Sequence, residues 1–371
     1  MHYNRGGAGA SRRRPAPALH QPSPAPAKGT TGLKTMESTH FRVAVLMGGE
    51  SLEHEVSLRS GAGAAAALRR MGHDVLPVTI DTAGGWAFGD SAPLPLHRAV
   101  SRLAEDRPDC VFIALHGGAG EDGRIQGLLD LLGLPYTTSG SAASGLCMDK
   151  IRAKAVAGAA GVRVARQVVV TAAEWRACPE DVAARVRAEI GLPCVLKAPN
   201  QGSSCGMAVC RAGETLAEDI ENILSVEGRL LAEAFVAGTE LTCAVLDVEP
   251  GARPRALPIT EIRPKTSAFF DYEAKYTPGA SEEITPAPLP ESTAETVRAA
   301  AVLAHETLGC RIWSRSDFIL GPEGPVWLEV NTVPGLTETS LFPQAAAASG
   351  ISYDQLMDLF VRAAVELGKN S

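Results

Sequence analysis

Arg315-Ser316-Asp317, Gly321-Pro322-Glu323-Gly324-Pro325 and Glu329-Val330-Asn331, read together, decide the fold of this chain. Side chains alternate along a strand with period two, so Arg315 and Asp317 share a face, as do Glu329 and Asn331. The Gly/Pro run between them reads as a turn, and a hairpin centred on Glu323 sets Asp317 opposite Glu329 and Arg315 opposite Asn331. Two carboxylates facing each other repel unless a cation is held with them. Hard oxygen donors beside a guanidinium suit Mg²⁺ carrying a polyphosphate. Asp317, Glu329 and Asn331 are therefore the expected metal ligands.

The rest of the chain sets bounds on that reading. Its 371 residues suffice for two or three domains, and 45% hydrophobic with 21% charged residues is the composition of a globular protein. A net charge of −7 offers no footprint for nucleic acid or an anionic membrane surface. Residues 1–35 hold Arg5, Arg12, Arg13, Arg14, Lys28 and Lys34 and no acid, so the body is more acidic than the total suggests. Eight cysteines include no Cys-x-x-Cys pair and mostly sit in apolar stretches, which predicts a reducing, cytoplasmic location without a disulfide framework. No apolar run reaches the ~18 residues of a membrane span.

Residues 1–40 are rich in Pro, Ala, Gly, Ser and Arg without apolar periodicity, and are expected to be a disordered tail. Arg12-Arg13-Arg14 superficially matches a twin-arginine export signal, but Pro15–Pro26 lacks the apolar run such a signal needs. Met36 is the expected true start. Beyond it, strands at Arg42–Met47, Val75–Val78 and Cys110–Leu115 alternate with helical segments, the signature of a parallel α/β sheet. Ser141–Ala160 reads as one small-residue helix stopped by Gly161. An α+β segment follows: strand Arg166–Val170, helix Ala172–Ile190, strand Cys194–Ala198, glycine loop Gln201–Gly206 and strand Met207–Arg211. A third unit is expected from strand Leu230–Phe235 to helix Tyr353–Leu367, with a lid-like stretch at 265–288 of little periodicity. The domains so predicted are 41–140, 141–229 and 230–371.

Neither Gly-x-x-x-x-Gly-Lys-Ser/Thr nor Gly-x-Gly-x-x-Gly occurs. Lys197 instead leads into Gly202-Ser203-Ser204-Cys205-Gly206, a loop able to lay N–H groups on phosphate oxygens or simply to turn a hairpin. Lys150 offers a second cation, or a solvated surface charge. Glu233 and Glu240 flank a strand end, where an acid accepts from an adenine amino group or ribose, or faces water. Glu53 follows the first Gly-rich turn, placed to hold an ammonium near helix N–H groups; Glu55 and Ser57 there have the alternative reading of capping residues. His116 ends a buried strand, a common place for a hydrogen-bonded structural histidine. Gly335 follows the metal strand and offers an N–H to an oxyanion, with Ser340 nearby for a small carboxylate.

In order, these stretches resemble the ATP-grasp enzymes and, within them, the D-alanine–D-alanine ligases. The matching runs are Gly48-Gly49-Glu50-Ser51-Leu52-Glu53-His54-Glu55-Val56-Ser57, Leu115-His116-Gly117-Gly118-Ala119-Gly120-Glu121-Asp122-Gly123, Met148-Asp149-Lys150 and Lys197–Gly206. Further on come Asp271-Tyr272-Glu273-Ala274-Lys275-Tyr276, Arg315-Ser316-Asp317 and Glu329–Thr337. The resemblance implies an ATP-grasp fold with an N-terminal Rossmann-like domain, and ligation of two D-alanines through an acyl phosphate. It implies ATP as co-substrate, two Mg²⁺ (or Mn²⁺) ions on Asp317, Glu329 and Asn331, and a homodimer. It makes Lys150, Lys197 and Lys275 phosphate-binding, Glu233 with backbone groups of Ala234 and Val236 adenine-reading, and Glu240 a ribose ligand. Arg315 and Gly335 would stabilise the oxyanion, and Glu53 would hold the first substrate's ammonium near His116. Ser203 and Tyr276 would join Glu53 in a closing network, and Ser340 and Leu341 would receive the second carboxylate. Tyr276 favours an amine over D-lactate as nucleophile. Ala198, Asn200-Gln201, Ala234 and Ser316 depart from the usual family residues, and Ser316 has no evident role in the sequence. A nicotinamide oxidoreductase is excluded by the missing fingerprint, and a non-catalytic ATP-binding protein is disfavoured because every metal ligand and Arg315 are present.

Overall fold

The computed structural model describes residues 40–202, 206–265 and 281–369; Ser203, Lys275 and Tyr276 lie outside them, as does the N-terminal tail.

The first sheet joins β1 (Arg42–Gly48), β2 (Asp74–Ile80), β3 (Trp86–Phe88) and β4 (Cys110–Ile113) in the order β3-β2-β1-β4. β1 lies parallel to both β2 and β4, while β3 is a short antiparallel edge strand that the sequence reading does not include. Val43–Met47 are buried because helices cover both faces: α1 (His54–Arg70) on one, α2 (Leu96–Asp106) and α3 (Arg124–Leu132) on the other. Ser57 is no cap; it sits inside, accepting from Gly48 N at 2.8 Å and donating to Ala114 O at 2.7 Å, and so ties the ends of β1 and β4 together.

The expected single helix at 141–160 is two: α4 (Ser141–Met148) and α5 (Lys150–Ala159). Asp149 breaks it, taking an extended backbone (ψ 97°) and accepting from Ile151 N and Arg152 N, both at 3.1 Å, as the N-cap of α5. The next expected helix also divides, into α6 (Ala172–Ala177) and α7 (Pro179–Glu189), where Pro179 starts a new first turn. These cover a four-stranded antiparallel sheet of β5 (Gln167–Thr171), β6 (Cys194–Lys197), β7 (Met207–Cys210) and β8 (Arg229–Ala234), with α8 (Leu216–Glu227), in the order β5-β8-β6-β7. The strand expected to open the third unit, β8, thus pairs into the second sheet. Its apolar run fits either place, and only the cross-strand partners decide.

The third sheet runs β12-β11-β9-β13-β14, with β10 beside β9. Its members are β9 (Thr239–Asp247), β10 (Arg255–Ala256), β11 (Thr260–Pro264), β12 (Ser281–Ile284), β13 (Ile312–Gly321) and β14 (Gly324–Asn331), with α9 (Glu291–Thr307), α10 (Leu341–Ala348) and α11 (Tyr353–Lys369). Strand β12 falls inside the stretch expected to be a lid, held in register by β11; the intervening 266–280 lie outside the described residues. Trp313 stacks on Phe360 (centroids 4.7 Å) and meets Phe342 edge-on (5.1 Å), cementing the third sheet to α10 and α11.

Candidate active site

The β13–β14 pairing carries the site. Arg315 faces Asn331, Ser316 faces Val330 and Asp317 faces Glu329, as the sequence predicts. The route to that register differs. The turn is the tighter one, Gly321 opposite Gly324, and Phe318 faces Trp327, so a bulge between Asp317 and Phe318 takes up the extra residue on β14. The bulge shifts the phase of alternation: Trp327 and Val330 join the core with Phe318, while Glu329 and Asn331 line the cavity. Ser316 now has an account. It is fully buried, and its Oγ accepts from the Trp327 indole N–H at 3.1 Å.

Asp317 is held from three sides. Arg315 donates to both of its oxygens at 2.9 Å, Thr242 Oγ1 donates at 2.6 Å and Asn331 Nδ2 at 3.1 Å. Thr242, absent from the sequence reading, lies opposite Asp317 on β9; Glu240, two residues earlier, therefore shares that face. Because the Asn331 amide spends its N–H on Asp317, its carbonyl oxygen is the atom left for a cation.

A cavity of 410 Å³ brings together Glu53, His116, Lys150, Arg315, Glu329, Asn331, Gly335, Ser340 and Leu341. Lys150 Nζ bridges its two sides, meeting Glu329 Oε2 at 3.0 Å and Gln201 O, the first residue of the glycine loop, at 2.8 Å. Gly117 has φ +68°, and a Cβ there would lie 2.7 Å from Glu53 Oε2, so glycine is what admits that carboxylate. His116 has both nitrogens engaged, Nδ1 with Val333 O (3.0 Å) and Nε2 with Ser60 Oγ (2.8 Å). Burial pushes its pKa down, which makes it a neutral strut between β4, α1 and the loop after β14.

That loop is pinned again by Tyr353 OH donating to Leu336 O at 2.7 Å. Ser340 is the N-cap residue of α10, yet its hydroxyl accepts from Thr337 N at 3.1 Å, and the helix start takes no side-chain cap. An uncapped helix N-terminus beside Leu341 suits a carboxylate.

Lys197, Glu233, Ala234, Val236 and Glu240 do not line this cavity. Glu233, nearly buried, meets Lys197 at 2.7 Å and Lys154 at 2.5 Å. Burial alone would raise its carboxyl; the two ammoniums overcome that and hold it at about 2. Burial opposes the charge of Lys197 too, but Glu233, then Glu329 and Glu240, hold its pKa up, so the cluster lies within electrostatic reach of Glu329 on β14. The Ala234 amide already donates to Arg166 O at 2.9 Å. Lys154, in contact with Trp327 O at 3.3 Å, carries no role in the sequence reading, where it looks like another helix charge. Glu121 was equally unassigned. It lines the cavity, accepts from Gly117 N at 2.9 Å, and is pushed up to about 8 by burial and by Glu53. Its place in the His-Gly-Gly-Ala-Gly-Glu run was the available signal.

Two family models match the chain: "D-ala D-ala ligase N-terminus" over residues 42–139 and "D-ala D-ala ligase C-terminus" over 156–362. The D-alanine–D-alanine ligase of Moorella thermoacetica is 42% identical over 327 residues, 88% of this chain and 100% of that protein. Among solved structures, the VanG D-Ala:D-Ser ligase from Enterococcus faecalis matches with a TM-score of 0.76 at 29% identity, covering 88% of this chain and 100% of the other. The D-alanine–D-alanine ligase from Bacillus anthracis complexed with ATP matches with 0.72 at 28% identity, covering 89% and 99%.

Proposed function

Because the chain belongs to the D-alanine–D-alanine ligase family, we propose that it joins two D-alanines at the expense of ATP, making the dipeptide for peptidoglycan precursors in the cytoplasm. The observation that carries this is the convergence, in one cavity, of Glu53 on one wall with Lys150, Arg315, Glu329, Asn331 and Gly335 on the other.

In this reading Glu53 holds the ammonium of the first D-alanine, and its carboxylate turns toward Arg315. ATP lies between the second and third sheets, with Glu233, Ala234 and Val236 at the adenine, Glu240 at the ribose, and Lys150, Lys197 and Lys275 at the phosphates. The donor set fits a divalent cation: two carboxylates and an amide oxygen, hard ligands on adjacent strands. Asp317, Glu329 and Asn331 would hold Mg²⁺ (or Mn²⁺), two ions, which when bound neutralise the charge of the transferring phosphate. Lys150 then exchanges Glu329 for phosphate oxygens. Arg315, aligned by its two bonds to Asp317, and the Gly335 N–H face the oxyanion formed when the second amine attacks the acyl phosphate. Ser340 and Leu341, at the start of α10, receive the second carboxylate. Ser203 and Tyr276 complete the network around Glu53 on closure, which keeps water from the acyl phosphate. The working form is a homodimer.

D-serine or D-lactate as second substrate is the alternative, and the likeness to a D-Ala:D-Ser ligase keeps it in view. Following ADP release with D-alanine alone, then with D-alanine plus D-serine or D-lactate, decides among them. Turnover with D-alanine alone is the expected result; none with Mg²⁺ at neutral pH would refute the proposal.

A further inference from the structure

At the edge of the cavity two thiols from distant segments meet. Cys147, which lines the cavity at the end of α4, has its Sγ 3.7 Å from Sγ of Cys310, in the turn that enters β13. Both are nearly buried. Polar groups surround the pair: His305 Nδ1 lies 2.7 Å from Ser314 Oγ, and Ser139 and Ser314 both act on Cys310. The hydrogen bond between the two sulfurs pulls the Cys310 thiol down against burial and, together with burial, pushes the Cys147 thiol up. Sharing one proton between the two sulfurs favours the thiolate, the nucleophilic form, on one of them while the other keeps its proton.

We propose that Cys147 and Cys310 form an oxidisable pair, in which a hydroperoxide reaching the cavity converts the two thiols into a disulfide that arrests the enzyme until a dithiol reduces it. With hydrogen peroxide, the thiolate sulfur attacks one oxygen, the O–O bond breaks, and the other oxygen leaves as hydroxide, which takes up the proton that the thiol released and becomes water. The resulting sulfenic acid is attacked by the second sulfur; the S–S bond forms, the S–O bond breaks, and a second water leaves with the remaining thiol proton. Each sulfur loses one electron, and the two electrons reduce the peroxide. A reversible disulfide of this kind is the usual form in a reducing compartment.

The sulfurs must close from 3.7 Å to about 2.0 Å. That draws α4 toward the entry of β13. Asp149 and Lys150 lie two and three residues after Cys147, and β13 carries Arg315 and Asp317, so the cross-link restrains Lys150 against Glu329. The loss of turnover rests on the proposed ligase function; the formation of the bond does not. A second pair, Cys194 and Cys210, sits face to face on β6 and β7. Both are fully buried and neither lines the cavity, so peroxide should spare them.

The test treats the full-length protein with hydrogen peroxide, alkylates free thiols and maps peptides by mass spectrometry, measuring ADP release on the same samples. The expected result is a Cys147–Cys310 linked peptide, loss of most ADP release, and recovery of both on adding dithiothreitol. Cys310→Ala should give no link and keep its ADP release through the same treatment. Both cysteines alkylated in the inactivated protein, a Cys194–Cys210 link alone, or equal inactivation of Cys310→Ala would each overturn the proposal. Should that variant not fold, the wild-type peptide map alone decides. Absence of ADP release before any peroxide would instead count against the ligase function, leaving the map to judge the thiol pair.

Discussion

At the scale of the residue, charge is placed where its environment controls it. Glu329, a proposed cation ligand, pairs with Lys150 at 3.0 Å. Glu329→Gln keeps the volume and removes the charge; turnover should fall about a hundredfold or more, since a metal-stabilised step draws several kcal/mol from its ligands. The circular dichroism spectrum should be unchanged, and an active variant would place the cation elsewhere. Lys154 is fully buried against Glu233. Replacing it with Met leaves Glu233 paired with Lys197 alone and one buried carboxylate oxygen without its donor, at a cost of about 1–3 kcal/mol, readable by urea unfolding. Glu121 gives the pH dependence. Its folded pKa of about 8 lies above the ordinary 4.5, so between those values the folded protein holds a proton that the unfolded chain releases. The stability from this group is therefore complete below the lower value and is lost as pH rises through the upper one. Thermal unfolding across that window should decline more steeply for wild type than for Glu121→Gln; parallel curves would refute the assignment.

At the scale of the element, the β13–β14 hairpin works because a bulge reconciles two demands. The core needs Trp327 on one face, and the cavity needs Glu329 on the other, although the two are separated by an even number of residues. Without the bulge, period-two alternation would send both to the same side. Ser316 secures the arrangement by accepting from the indole at 3.1 Å. Ser316→Ala should destabilise by about 1–3 kcal/mol through the orphaned buried N–H and leave the Mg²⁺ dependence of ADP release intact. Unaltered stability in denaturant would show that the indole finds another acceptor. The same reasoning covers the broken helix at Asp149: a side chain that caps the following turn also ends the preceding one, and so aims Lys150 at Glu329.

At the scale of the whole molecule, the cavity is assembled from all parts of the described fold. His116 fastens the first sheet to the loop after β14, and Lys150 fastens Gln201, at the start of the glycine loop, to β14 itself. Ligands that bridge such parts stabilise them together. A non-hydrolysable ATP analogue with Mg²⁺, at a hundredfold excess over its Kd, should add about 2.7 kcal/mol to unfolding, seen as a higher Tm by calorimetry. The analogue should lose most of this effect with Glu329→Gln; an undiminished shift would mean that the nucleotide is held without the cation face.

Sequence alone determined the strand alternation, the pairing of Asp317 with Glu329, and nine of the residues that line the cavity, from Glu53 to Leu341, because these follow from local periodicity and from motifs whose order is legible along the chain. It did not determine the bulge, the membership of β8 in the second sheet, the division of two helices, or the tasks of Thr242, Lys154 and Ser316. Those depend on partners brought close only by folding: an indole that needs an acceptor, a buried carboxylate that needs a second cation, a strand whose neighbours lie far away in sequence. Burial sets the energetic cost of leaving each such group unpaired, and burial exists only once the three sheets have packed.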